Sequence, residues 1–180
     1  VQRRHQKLIE ESPTPKIDES SLQKQAQLAA DVCGKMKYGS LGTIETLFLS
    51  EGGFGFLEMN TRIQVEHGVT EEVTGLDLVK LQMSLFMGDD LPAQDDINQA
   101  GFAIEARLYA EDPEPMYPST GKLQTFTVPS LYGVRVETGY QVDQMVSPYY
   151  DPLLAKVIAR GDTREQAIGR LSVALRAFDV

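Results

Sequence analysis

The sequence has no tryptophan, a single cysteine and only two histidines. Cys33 alone can form no internal disulfide, which suits a reducing compartment. No apolar run of 18 or more residues is present, so no membrane-crossing helix is expected, and nothing near Val1 reads as a signal peptide. Cationic side chains are in deficit: 17 Lys and Arg stand against 26 Asp and Glu, a formal net charge of −9, which argues against binding a nucleic-acid backbone. There is no internal repeat and no low-complexity tract. What remains is 180 residues, 42% of them apolar, enough for one large domain or two small ones with a core.

The stretch from residue 53 to 67, GFGFLEMNTRIQVEH, carries the strongest pattern. Glu58, Asn60, Arg62, Gln64 and Glu66 occupy every second position, with Met59, Thr61, Ile63 and Val65 between them. That is the period of a β-strand, and it predicts two carboxylates, two carboxamides and a guanidinium along one face. Upstream, TIETLFL (residues 43–49) is β-branched and aromatic, and Ser50, Glu51, Gly52 and Gly53 separate the two runs. Glycines at that point signal a hairpin. A four-residue loop sets Glu45 opposite Glu58, whereas a Gly52-Gly53 turn pairs Glu45 with Asn60. Either register keeps Glu45, Glu58 and Asn60 on one face unless a bulge intervenes. Facing carboxylates lie roughly 5 Å apart and repel by about 3 kcal/mol at an effective dielectric near 20. A cation between them, or a proton on one, relieves that. Two carboxylates and an amide oxygen suit a hard ion such as Mg²⁺, whose coordination is commonly completed by substrate phosphates.

Residues 1–9 read as a strand rich in cations, with Lys7 and His5 facing an anion, before Pro13 ends regular structure. Residues 19–38 read as an amphipathic helix with a Ser20/Gln23 capping box, a stripe of Leu22, Ala26, Ala29, Cys33 and Met36, and Gly39 at its close. Residues 68–75 read as a loop. Thr74 then caps a helix over 76–87 that buries Leu78, Val79, Leu81, Leu85 and Phe86, with Met83 and Met87 filling the core. The acidic, proline-bearing link over 89–99 suits a boundary between domains at 1–99 and 100–180. In GFAIEARLYA (101–110), Phe102, Ile104, Ala106 and Leu108 point inward and Glu105, Arg107 and Tyr109 outward. Short strands follow at 122–128 and 133–138, a buried strand at 153–159, and a Thr163-capped helix with Ile168, Leu171, Leu175 and Phe178 along one side. The sum is an α+β fold with a mainly antiparallel sheet.

The segments QRRHQK, GTIE, FLEMNTRIQVEH, VTE, IEARLYAEDP, PSTGKL, GVRVE and PYYDPLLAK, in that order, resemble the biotin carboxylase family, a branch of the ATP-grasp enzymes. The resemblance implies the C-terminal lobe of an ATP-grasp fold followed by a truncated biotin carboxylase C-terminal subdomain. It further implies MgATP-dependent activation of bicarbonate to carboxyphosphate and carboxylation of biotin presented on a carrier domain. By that match Glu45, Glu58 and Asn60 hold Mg²⁺ or Mn²⁺. Gln2, His5, Lys7, Glu45, Leu47 and Glu58 bind ATP. Arg62, Gln64 and the Val65 backbone cradle bicarbonate, a guanidinium fork suiting a planar oxyanion. Glu66 is the base that takes the bicarbonate proton. Arg107 stabilises developing negative charge, and Lys7 contacts phosphate. Gln2 is off parity with His5 and Lys7, so a plain strand cannot present all three.

Partners implied are a biotin carboxyl carrier domain, a carboxyltransferase, the N-terminal and lid domains of the same enzyme, and a second copy in a homodimer. No nucleic-acid or membrane partner is expected. The location implied is the cytoplasm, or the mitochondrial matrix in a eukaryote. The sequence opens on Val1 and shows no glycine-rich lid, so it reads as part of a longer polypeptide that is inactive by itself. Two departures stand out. Gly68 replaces the proline of the family's EHPVTE, which is expected to free the backbone after Glu66. The segment 130–145 lacks the usual Gly-Gly before GVRVE. Competing readings are a retaining glycosidase, which has no use for Arg62, Lys7 and His5 beside the acids, another ATP-grasp carboxylate ligase, and a non-catalytic interaction module.

Overall fold

A computed structural model describes every residue except Arg4 and His5. In chain order the strands are β1 (Gln2–Arg3), β2 (Gln6–Lys7), β3 (Ile9–Ser12), β4 (Thr43–Phe48), β5 (Phe54–Asn60), β6 (Phe102–Tyr109), β7 (Gly121–Lys122), β8 (Val134–Thr138), β9 (Met145–Val146) and β10 (Leu153–Gly161). The α-helices are α1 (Glu19–Lys35), α2 (His67–Thr74), α3 (Leu78–Met87) and α4 (Arg164–Ala177). Every strand pair is antiparallel among the described residues. The chain divides into two compact units. A sheet unit comprises Val1–Pro13, Gly68–Thr74 and Gln99–Val180, and a hairpin unit comprises Thr14–His67 and Gly75–Asn98. The first 13 residues belong with the C-terminal sheet because β3 pairs with β6, from Ile9 opposite Ala106 to Ser12 opposite Ala103.

The sheet unit is built on four strands in the order β3-β6-β10-β8. β6 and β10 are central and buried on both faces, as their apolar runs require. On one face Ile104, Ala106, Val157 and Ala159 meet Ala167, Leu171 and Ala174 of α4. Burying each branched side chain contributes roughly 1.5–3 kcal/mol. Thr163 caps α4 by accepting from the Gln166 amide, as the sequence predicts. At the head of that helix a Cβ on Gly161 would stand 2.6 Å from the Ala167 nitrogen, so the helix can approach the strand only over glycine. On the opposite face Val69 and Val73 of α2 pack on Ala103 and Ile158.

Several expectations are corrected here. Among the described residues of 1–9 there is not one strand but two short ones paired antiparallel, followed by β3, which ends before Pro13 as expected. Residues 68–74, read as a loop, are helical. Glycine and β-branched residues are poor helix formers, but Val69 and Val73, one turn apart, find an apolar surface to cover. Glu105, read as outward, is completely buried, since the second face of the sheet is covered too. The strand expected at 122–128 shortens to β7, with an isolated bridge from Thr127 to Asp179.

In the hairpin unit, α1 is capped by Asp18, which accepts from the Ser21 amide, rather than by Ser20. The Ser20 and Ser21 hydroxyls and the Ser21 amide together hold the Asp18 carboxyl down at about 2. The helix ends at Lys35, and the left-handed residue that closes it is Lys37 rather than Gly39. α3 begins at Leu78 with Asp77 as its cap, not Thr74, because the Asp77 carboxylate accepts from the Lys80 amide. The side expected to be buried is open: Phe86 is 93% and Met87 71% exposed, and neither α1 nor α3 contains a buried residue.

Candidate active site

The β4–β5 hairpin positions the acidic pair. Its register sets Glu45 opposite Glu58 and Thr43 opposite Asn60. Nearer the tip Phe48 faces Phe54 and Thr46 faces Phe56, so one extra residue bulges out between Phe56 and Glu58. The bulge lies on the loop side of the acids and leaves Glu45, Glu58 and Asn60 together. Phe48 and Phe54 stack edge to face at 5.2 Å, anchoring the loop end, and Gly52 and Gly53 carry the positive φ of the turn.

Between the facing carboxylates sits one amide. The Asn60 Nδ2 donates to Glu45 Oε1 and to Glu58 Oε1, both at 3.1 Å. Gln64 Nε2 donates to the same Glu45 oxygen at 2.6 Å, and the Gln64 side chain is buried despite lying outside any regular element. Two anionic groups on adjacent strands are therefore reconciled by neutral N–H donors. Rotating the Asn60 amide by half a turn would offer its oxygen to a cation at the same point. The donor set, two carboxylates and a carboxamide, fits a hard divalent ion.

The polar row does not continue as a strand. β5 ends at Asn60, opposite the first residue of β4, and beyond it no partner remains to pair with. Arg62 lies in a bend, exposed, with Nη1 donating to the Ile63 carbonyl at 3.1 Å. Val65 and Glu66 form a turn that runs into α2, and His67 Nδ1 lies 2.7 Å from the Gln64 carbonyl oxygen. Strand parity therefore cannot be the reason for Arg62 and Glu66 to act together. Leu47 leaves the same strand as Glu45, two residues on, and is 57% exposed.

In the sheet unit, Gln2 stands directly opposite Lys7 across the β1–β2 pair. Opposed residues share a face, which removes the conflict between Gln2 and Lys7 that a single strand would create. His5 lies outside the described residues. Arg107, on β6, donates from Nη2 to Glu10 Oε1 at 2.6 Å, with both side chains largely buried. Glu10 lies one strand over from Arg107, which only the β3–β6 register reveals. Lys156 donates to Glu137 at 2.5 Å, and Arg135 pairs with Glu71 at 2.8 Å and with Glu137. Burial pushes the Glu137 carboxyl up, but the Lys156 and Arg135 charges outweigh it and the net shift is downward. Sequence reading missed this array, whose members are spread over five elements.

The fold is a mixed α/β one of ATP-grasp type with an antiparallel sheet core. The family model described as "Carbamoyl-phosphate synthase L chain, ATP binding domain" matches residues 1–94, and that of the "Biotin carboxylase C-terminal domain" matches 105–180. The chain belongs to the biotin carboxylase family. It is 48% identical to a biotin carboxylase of Halalkalibacterium halodurans over all of its own length and 40% of that protein's. It is 41% identical to the mitochondrial methylcrotonoyl-CoA carboxylase subunit alpha of Mus musculus, covering 100% of this chain and 26% of the other. Among solved structures, the biotin carboxylase domain dimer of Hydrogenobacter thermophilus 2-oxoglutarate carboxylase, in complex with MgADP, ADP and bicarbonate, superposes with a TM-score of 0.96 at 39% identity, over 99% of this chain and 40% of that one. A Campylobacter jejuni biotin carboxylase in complex with β,γ-ATP gives 0.96 at 38% identity, over 99% and 40%. The chain thus spans about two fifths of the length of the biotin carboxylases it matches.

Proposed function

We propose that this chain forms part of an enzyme that uses MgATP to activate bicarbonate to carboxyphosphate and passes the carboxyl group to biotin on a carrier domain. The observation that carries this reading is the in-register pairing of Glu45 with Glu58, with the Asn60 amide between them. Those three residues would hold Mg²⁺ or Mn²⁺, which when bound neutralises negative charge on the nucleotide phosphates. Lys7 and Gln2, sharing a face, are assigned to the phosphates and ribose, and Leu47 offers adenine an exposed apolar surface. Arg62, Gln64 and the Val65 N–H orient bicarbonate. Glu66 removes its proton, so that the oxygen able to attack the terminal phosphorus carries full negative charge. Arg107, its charge fixed in direction by Glu10, stabilises the anion that forms as the carboxyl group is transferred.

The relatives support this reading by what they are described as binding: the Hydrogenobacter domain is bound to MgADP and bicarbonate. Carrier and carboxyltransferase modules are the implied partners; the chain is 38% identical to a pyruvate carboxylase of Rhizobium etli described as complete and multifunctional. A homodimer and a location in the cytoplasm or mitochondrial matrix belong to the same proposal. The test is bicarbonate-dependent ATP hydrolysis by the full-length polypeptide that carries this chain. Glu58→Gln should lower it by at least about a hundredfold, the scale of losing one electrostatic stabiliser. Unchanged hydrolysis in that variant would remove the acidic pair from the mechanism.

A further inference from the structure

One buried group takes no part in the mechanism above. Glu105 is completely buried, and neither carboxyl oxygen has a hydrogen-bond partner among the described residues. Such a group is costly in any protein, and far more so if charged. It stands on the same strand face as Arg107, two residues along β6, and directly opposite Glu10 on β3. Across β10 its register partner is Ile158, whose side chain also closes over Gly68 in the first turn of α2. A Cβ on Gly68 would come within 3.4 Å of Glu105 Oε2. The charged groups around it are Glu10 from β3, Arg107 from its own strand, Lys156 from β10 and Glu137 from β8; α2 adds Glu71, already bound to Arg135.

The Glu10 carboxylate reaches diagonally past Glu105 to take Arg107. An ionised Glu105 would face Glu10 as a like charge and compete with it for the same guanidinium. We infer that Glu105 is a positioning residue for Arg107: as a neutral acid it leaves Glu10 to set the direction of the guanidinium, and on ionising it pulls that guanidinium away. This rests on the assignment of Arg107 to the site. Burial, the largest influence, raises the Glu105 carboxyl from 4.5 to about 8, with Lys156 opposing and Glu10 assisting. The neutral acid therefore persists through neutral pH and is lost above it.

The consequence is an alkaline limb in the rate. For the full-length polypeptide, bicarbonate-dependent ATP hydrolysis should fall by about tenfold per pH unit above its midpoint. Glu105→Gln, which keeps the shape and cannot ionise, should flatten that limb while lowering the rate at pH 7 only a few-fold. A purely structural glutamate would not move the pH profile, and an unchanged limb in Glu105→Gln overturns the inference. A second measurement needs neither activity nor a variant. Difference infrared spectroscopy of the wild-type protein labelled with ¹³C-glutamate should show a protonated-carboxyl band that disappears with a midpoint near 8. Its absence overturns the inference even if the enzyme is active. Its presence in a protein that hydrolyses no ATP would sink the proposed function and leave the state of Glu105 as described.

Discussion

The two units handle charge in opposite ways. In the sheet unit opposite signs meet under cover: Glu10 with Arg107, Lys156 with Glu137, and Arg135 with Glu71 and Glu137. In the hairpin unit like signs meet near the surface, Glu45 against Glu58, with neutral amide donors of Asn60 and Gln64 bonded to them. An array of alternating charges offsets its own charge and ties its strands and α2 together. A pair of acids facing each other with neutral N–H groups between them suits a positive ion. The contrast can be attacked from either side.

The largest effect should come from the covered array. Lys156 is 9% exposed and its ammonium bonds Glu137. Lys156→Met leaves Glu137 with Arg135 alone, and losing a hydrogen bond between charged groups costs about 1.5–3 kcal/mol. Urea denaturation at pH 7 should show the midpoint falling with an unchanged slope. Adding Glu137→Gln should restore part of the loss. If the single variant loses less than about 1 kcal/mol, the array is no more than a set of surface pairs, and the contrast between the units fails.

Gly68 sharpens the comparison at the contact between α2 and the sheet. The expectation that a glycine in this position frees the backbone is not met, since Gly68 lies in the first turn of a helix and is buried. A methyl group there would stand 2.4 Å from the Ile158 Cδ1, and Ile158 is itself fully buried. Gly68→Ala should therefore destabilise by about 1–2 kcal/mol, overpacking outweighing the gain in helix propensity. Ile158→Val removes the methyl group in the way, so the two changes together should cost less than the sum of each alone in a double-mutant cycle. Additive losses would place the strain elsewhere.

What could be read in advance follows from the range of the forces. The hairpin, its turn glycines and the facing of Glu45 and Glu58 were legible because period-two alternation and turn chemistry act over a few residues. The end of β5 was not. Residues 61–66 continue the alternation, but β4 begins at Thr43, opposite Asn60, and a strand cannot outlast its partner. α2 was invisible because its residues have weak helix propensity and its stability comes from Val69 and Val73 meeting Ala103 and Ile158. Missing α2 meant missing that both faces of the sheet are covered, and so reading Glu105 as solvated. One error in a local element thus became an error about charge. The pairing of Arg107 with Glu10 spans 97 residues, and no local pattern carries it.

The smallest expected effect bears most directly on the acidic pair. If Glu45 and Glu58 repel across the hairpin, then removing one charge should help the metal-free chain. Glu58→Gln keeps the shape and replaces a like-charge contact with a neutral one, so a gain of about 0.2–1 kcal/mol is expected, the scale of a cross-strand pair. The gain should shrink as salt screens the repulsion. Added Mg²⁺ should then raise the melting temperature of the wild type and leave the variant where it was, because an ion that binds only the folded state stabilises in proportion to its occupancy. The sign of the metal-free difference decides the matter. Should Glu58→Gln melt lower than the wild type without metal, the Asn60 bond to Glu58 outweighs the repulsion. The hairpin would then be a satisfied network like the sheet, with no gap for a cation to fill.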